Sequence, residues 1–313
     1  MKEFGGKLAV VTGGGTGMGR ALCRQLVAEG CDVATCDVLE DNLAETQRLC
    51  EQEASQGRVV SIHRCDVANE EDVNDFRDAV KSAHDTDHID LLFNNAGIGG
   101  GSSFVDGNRD EWERTFNICW FGVYNCARAF IPLLVASPDA HMINTSSVNG
   151  FWASLGPQSA HSAYSAAKFA VKGFTEALVT DFANNAPHVK ASVVMPGHIG
   201  TSIAINSRRI IGDDDPEQMR ERFVALGWVN EDTTDEELIE MVETVGRGFR
   251  DNAPTTAEQA AAIILDGVRE ERWRILVGDD AHLIDRMVRE APEEAYGEAF
   301  MERLRASTEW NIS

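Results

Sequence analysis

Seven short apolar runs, each closed by turn residues and separated by longer amphipathic stretches, constrain this chain more than any other feature. They are Leu8 to Thr12, Asp32 to Asp37, Val59 to His63, Ile89 to Phe93, His141 to Thr145, Lys190 to Met195 and Trp273 to Val277. Runs this apolar need cover on both faces, and parallel neighbours need a crossover long enough to hold a helix. The pattern predicts an α/β domain: a doubly wound parallel sheet of about seven strands with helices on both faces. Stretches such as Met18 to Glu29 and Glu70 to Ala83 carry the 3.6-residue period that those helices need. No repeat or low-complexity linker interrupts the alternation, so residues 1–313 read as one domain. Departures come late. An insertion at 201–254 holds two helix-like pieces, one starting at Asp215-Pro216 and one at a capping box of Thr233 with Glu236. A charged, helix-forming extension occupies 278–313, and its Leu283, Ile284, Met287 and Val288 suit either a groove of the same chain or a neighbouring subunit.

The first run passes directly into Thr12-Gly13-Gly14-Gly15-Thr16-Gly17-Met18-Gly19, where a helical period begins. Glycines allow the tight turn and the close approach to a pyrophosphate, and the free amides of a helix start face its charge. The second run ends at Asp37, twenty positions after Gly17. A carboxylate there accepts hydrogen bonds from the adenosine ribose hydroxyls and repels a 2'-phosphate. Neither Thr16 nor Val38 supplies a compensating cation, although Arg20 is near, so the expected cofactor is NAD and not NADP.

Tyr164 and Lys168 lie four apart in the helical stretch Ser162 to Asp181 and so share a face. A free phenol has a pKa of about 10, which leaves about one in a thousand ionised at pH 7. A neighbouring ammonium favours the phenolate, and a shift of about three units amounts to about 4 kcal/mol. Upstream, Ser146 and Ser147 follow the run that ends at Thr145, on the side where such sheets bind ligands. Asn94-Asn95-Ala96-Gly97 closes another run, and Asn117 interrupts a helical pattern that does not favour it.

Taken together, the order of these motifs resembles that of the short-chain dehydrogenase/reductase family, from Lys7 to about Val277, with a Rossmann-type fold. The resemblance implies that Tyr164 is the general acid/base, that Ser147 bonds the substrate oxygen, and that Lys168 lowers the tyrosine pKa and holds the nicotinamide ribose. It implies a proton-relaying water on Asn117. It assigns the cofactor to Gly13, Thr16, Gly17, Met18 and Gly19, to Asp37, to Asp66 and Val67 at the adenine, and to Asn95, Ala96 and Gly97. Tyr164, Lys168, Pro196, Gly197, Ile199 and Thr201 complete that set on the nicotinamide side. Ser147 and Tyr164 stand 17 positions apart, several more than in many members, which leaves Ser146 as a competitor and His161 near the site.

The expected reaction interconverts a secondary alcohol, hydrophobic or cyclic, and its ketone. Phe151, Trp152 and Leu155, with Ile203, Ile205, Phe223, Leu226 and Trp228 of the insertion, suggest an apolar pocket and lid. Two alternatives stand beside it, an NADPH-dependent 3-oxoacyl-carrier reductase and a non-catalytic dinucleotide sensor. A formal net charge of -23 argues against nucleic acid or an anionic membrane as partners. Without a signal-like opening or a membrane-length apolar run, the expectation is a cytoplasmic protein. The seven cysteines form no CxxC pair, and His84 and His88 read as a solvated turn, so no metal is expected. The resemblance also implies a homodimer or homotetramer through Glu111 to Leu134 and Ser162 to Asn184, with Trp273 to Val277 near a further interface.

Overall fold

Alternation along the strands decides where everything packs. In the computed structural model, which describes residues 1–55, 57–100, 103–105, 107–155, 161–211, 216–225 and 227–307, Leu8 and Val10 of β1 (Leu8–Thr12) join one hydrophobic cluster. Ala9 and Val11 join another on the opposite face. Along the chain follow α1 (Gly17–Ala28), β2 (Asp32–Asp37), α2 (Glu40–Glu53), β3 (Val60–Arg64), α3 (Glu70–Ala83) and β4 (Leu91–Asn94). A continuous helical stretch comes next: α4 (Arg109–Phe116), a π-helical turn (Asn117–Phe121) and α5 (Gly122–Ala136). Then come β5 (Ala140–Thr145), a 3-10 turn (Val148–Gly150), α6 (Ser162–Asn185), β6 (Val189–Pro196) and β7 (Ile199–Gly200). The chain continues through α7 (Ile203–Ile211), α8 (Pro216–Ala225), α9 (Asp235–Asp251), β8 (Thr255–Thr256) and α10 (Ala257–Arg269). It closes with β9 (Arg274–Val277), α11 (Asp279–Glu290) and α12 (Glu298–Arg305).

Seven strands form one parallel sheet in the order β3-β2-β1-β4-β5-β6-β9, and β7 pairs with β8 beside it. The order reverses between β1 and β4, which opens a crevice at their carboxyl ends. All seven sequence runs are strands, with small shifts at the ends. β4 starts two residues late because the Asp90 carboxylate occupies the neighbouring amide, accepting from Leu8 N at 2.9 Å. Local caps place the helices: Asn69 accepts from Glu71 N and Asp72 N above an acidic first turn in α3.

Four expectations need correction. Among its described residues the insertion holds three helices, not two; the capping box of α9 is Thr234 with Glu237, one residue beyond Thr233 and Glu236. Asp215 lies outside the described residues, and α8 opens at Pro216. The helical stretch Arg109–Ala136 does contain an 18-residue window long and apolar enough to cross a membrane, with a mean hydropathy of 1.5, but more than half of that window is buried in the protein. Finally, Trp152 is not in a substrate pocket. It is wholly buried against Phe300 and donates Nε1–H to Ala295 O at 2.8 Å, in a cluster that also takes Leu283, Ile284 and Met287. The extension thus fills a groove of its own chain. Phe223 is likewise core, packed with Met219 and Leu238 between α8 and α9, while Trp228 is exposed beside it and Leu226 lies outside the described residues.

Candidate active site

The phosphate loop is rigid because its glycines leave no room. Gly13 and Gly17 adopt φ of 69° and 53°. A Cβ on Gly19 would stand 2.1 Å from Gly13 O, and one on Gly13 would stand 2.8 Å from the Ala96 Cα. Thr12 Oγ1 accepts from Asn95 N and Ala96 N, both at 3.0 Å, and Asn95 Nδ2 donates to Thr12 O at 3.0 Å. These bonds tie the ends of β1 and β4 together at the crevice. α1 opens with no side-chain cap and no acid in its first turn, so its amides remain suited to an anion. Asn95 Oδ1 is buried without a partner among the described residues.

The crevice encloses about 820 Å³, open solvent at its mouth included. Gly13, Thr16, Gly17, Met18, Gly19, Asp37, Val67, Asn95, Ala96, Gly97 and Thr201 line it. Asp37 accepts from Gly15 N at 3.0 Å and from Leu39 N at 3.1 Å. Burial holds its carboxyl above the ordinary range, with those backbone bonds opposing. Arg20 is committed elsewhere, to the carbonyls of Gly15 and Asn42 and to Thr46 Oγ1. This glycine cradle, with an uncapped helix start at one end and a carboxylate at the other, fits a dinucleotide.

Some expected contacts lie off that wall. The Asp66 carboxylate is occupied by Ala68 N and by Arg114 Nη2 at 2.8 Å, and it is Arg114 that faces the crevice. Ile199 points into the core, and its strand pairs with Thr255–Thr256. Pro196, the end of β6, and Gly197 are not among the residues that line the crevice. Ile203, expected from the sequence at the pocket, does line the crevice, but the helix that carries it, α7, was not anticipated: it also brings Ile210 to the lining, Asn206 Nδ2 donates to Thr16 Oγ1 at 3.0 Å, and Ser207 Oγ accepts from Gly99 N at 2.8 Å. Ile205 faces away, towards Gly246 of α9.

α6 brings Tyr164 and Lys168 together, with the lysine beside Gly97 of the crevice lining. Ser147, the cap of the 3-10 turn, lies by the phenol and favours its ionised form, whereas Ser146 donates to Lys168 O at 2.8 Å and so holds helix backbone. The two serines therefore have different roles. Lys168 is 2% exposed, its Nζ donates to Thr145 O at 2.9 Å, and it lies 5.3 Å from the Tyr164 ring centroid. A Cβ on Gly97 would lie 3.4 Å from that Nζ, which puts the ammonium at the crevice floor. Burial pushes the lysine pKa down, and it also pushes the phenol up, the Cys119 sulfur adding and Ser147 opposing. The lowering of the phenol by Lys168 expected from the sequence is thus not seen in the protein alone. His161 packs its ring 4.7 Å from that of Tyr164, and burial holds it down to about 4, so it is neutral at pH 7.

Residues 7–210 match the family model described as short chain dehydrogenase. The chain belongs to the short-chain dehydrogenase/reductase (SDR) family. It is 35% identical to SadH of Mycobacterium tuberculosis over 289 residues, 92% of either chain. It is 28% identical to the human dehydrogenase/reductase SDR family member 11 over 246 residues, 78% of this chain and 91% of that one. A Burkholderia phymatum SDR solved in complex with NAD superposes with a TM-score of 0.75 at 30% identity, over 94% of this chain and 95% of that one. A metagenomic SDR solved with NADP gives 0.54 at 29% identity, over 62% and 83%. This SDR is accordingly an oxidoreductase of a family that acts on small molecules and whose solved members bind either nucleotide.

One expected catalytic residue of this SDR is not where the sequence suggested. Asn117 is exposed, at the start of the π-helical turn. Residues two apart on a helix point to roughly opposite sides, and the inward position belongs to Cys119. Its thiol is wholly buried and donates to Ile98 O at 3.3 Å, and a Cβ on Gly97 would lie 3.7 Å from its sulfur. Asn117→Ala is therefore expected to leave kcat/KM within about twofold, while Cys119→Leu, overpacking the floor beneath Lys168, lowers kcat by about 10- to 100-fold. Steady-state kinetics of both variants check this, and the reverse ranking would restore Asn117.

Proposed function

We propose that this SDR interconverts a secondary alcohol and a ketone, hydrophobic or cyclic, with NAD as the hydride acceptor or donor. The carrying observation is the Tyr164 phenol beside Ser147 and buried Lys168, with the lysine next to Gly97 of a crevice that Asp37 also lines. When bound, the dinucleotide supplies the carbon that takes or gives the hydride. In oxidation, Tyr164 takes the hydroxyl proton as the carbinol hydride leaves; in reduction, it returns that proton to the carbonyl oxygen. Ser147 bonds the same oxygen, and Lys168 sets a positive charge beneath the phenol and within reach of a ribose.

Asp37 and the commitment of Arg20 support NAD, since among the described residues Arg20 is taken up by Gly15, Asn42 and Thr46, and Arg114, the cation lining the crevice, is paired with Asp66. Ile98, Ile118, Ile203 and Ile210 line the crevice and favour an apolar substrate. The strong acidity disfavours an acidic carrier protein as substrate bearer. Phe121 and Tyr124 of the α4–α5 helix and Phe169 of α6 leave aromatic rings exposed on the two helices proposed for a homodimer or homotetramer. Seven free, buried thiols accord with a reducing cytoplasm.

The test is a screen of NAD reduction, followed at 340 nm, over hydrophobic secondary alcohols, small polyols and the same set with NADP. The proposal expects kcat/KM with NAD to exceed that with NADP by at least about 100-fold, and Asp37→Ala to narrow the ratio by at least about 10-fold. Preference for NADP overturns the cofactor assignment, and preference for polyols overturns the apolar pocket.

A further inference from the structure

Asp280 is a carboxylate that its sequence context gives no reason to bury. It follows Asp279 at the start of a charged extension, yet it is 1% exposed and has no ion pair among the described residues. Burying an unpaired acid is costly unless several donors converge on it. Here they do: its Oδ2 accepts from His198 N at 2.6 Å, its Oδ1 accepts from Ala281 N at 2.9 Å, and it sits at the positive end of α11. The fit depends on two glycines. A Cβ on Gly197 would lie 2.2 Å from either carboxylate oxygen, and Gly278, at φ of 100°, would place one 2.5 Å from Oδ1.

What Asp280 grips is the turn that leads into the crevice. Gly197 N donates to Val277 O at 3.0 Å, so β9 and α11 hold this turn from one side. His198 Nε2 meets Phe249 O at 2.7 Å with the two rings 4.2 Å apart, so α9 holds it from the other. Three residues on, Thr201 closes against the phosphate loop, where a Cβ on Gly17 would lie 3.0 Å from the Thr201 Cβ, and α7 then delivers Asn206 to Thr16. Resting on the dinucleotide chemistry proposed above, we propose that Asp280 is a positioning residue for the cofactor: by fixing Gly197 and His198 it sets the distance of Thr201 and α7 from the phosphate loop.

The test is calorimetric titration of NAD into the full-length protein. Asp280→Asn keeps the shape but turns an NH2 group towards one backbone N–H, so one buried bond is lost. The expected result is a Kd about 10-fold higher with kcat at saturating NAD within about threefold, and faster hydrogen exchange confined to residues 197–206. Gly197→Ala in the native background is expected to weaken NAD by at least about 10-fold, and to add nothing further in an Asp280→Ala background, where the methyl has room. An Asp280→Asn protein with the native Kd, or Gly197→Ala and Asp280→Ala penalties that simply multiply, overturns the inference and leaves the proposed function standing. Native protein that binds neither NAD nor NADP overturns both.

Discussion

Replacing Tyr164 with phenylalanine is expected to lower kcat by at least about a thousandfold while leaving the Kd for NAD within about threefold. Only the phenolic oxygen is lost. The ring still packs on His161 and over Lys168, and the crevice wall does not include it. Single-turnover absorbance and calorimetry read the two quantities separately, and a variant retaining more than about a tenth of native turnover would remove Tyr164 from the chemistry. The pH dependence carries the same signature. Because burial holds the phenol above its ordinary value, the protonated form dominates at neutral pH. Ketone reduction, which needs that proton, is expected to stay flat through neutrality and fall in the alkaline range; alcohol oxidation is expected to rise across the same range.

Gly19→Ala is the second large effect. Its methyl would stand 2.1 Å from Gly13 O and 2.7 Å from Asn95 Nδ2, and Gly13 has no retreat because it already abuts Ala96. The loop must shift by about an ångström, which misdirects the amides meant for phosphate and is expected to weaken NAD by at least about 100-fold. Overpacking of this kind costs about 1–3 kcal/mol, which lowers Tm by about 5 °C in a chain of this size. Thermal melts and titration measure both, and native affinity in a folded Gly19→Ala protein would show that the loop does not hold the cofactor.

The sheet was legible because each strand carries its own two-sided apolar pattern, and the phosphate loop because only glycine tolerates φ of 69° beside Ala96. What escaped depends on phase or on distant chain. Asn117 and Cys119 differ by half a helical turn, and the π-helical turn that holds them has no pattern of its own in the sequence. Trp152 reads equally well as pocket or core until Ala295 and Phe300, some 140 residues on, cover it. Asp280 reads as a solvated acid until the backbone of His198 is found against it. Ser146 and Ser147 are indistinguishable as residues, and are separated only by which of them the Lys168 carbonyl engages.

The central claim is that this SDR moves a hydride from a carbinol carbon to NAD with Tyr164 taking the proton. Its most direct test is to incubate the native protein with NAD and hydrophobic secondary alcohols carrying deuterium at the carbinol carbon, then weigh the reduced cofactor by mass spectrometry. One deuterium per cofactor reduced is expected, and none with the Tyr164→Phe variant over the same interval. Cofactor left oxidised across the whole set, or reduced without deuterium, would contradict it.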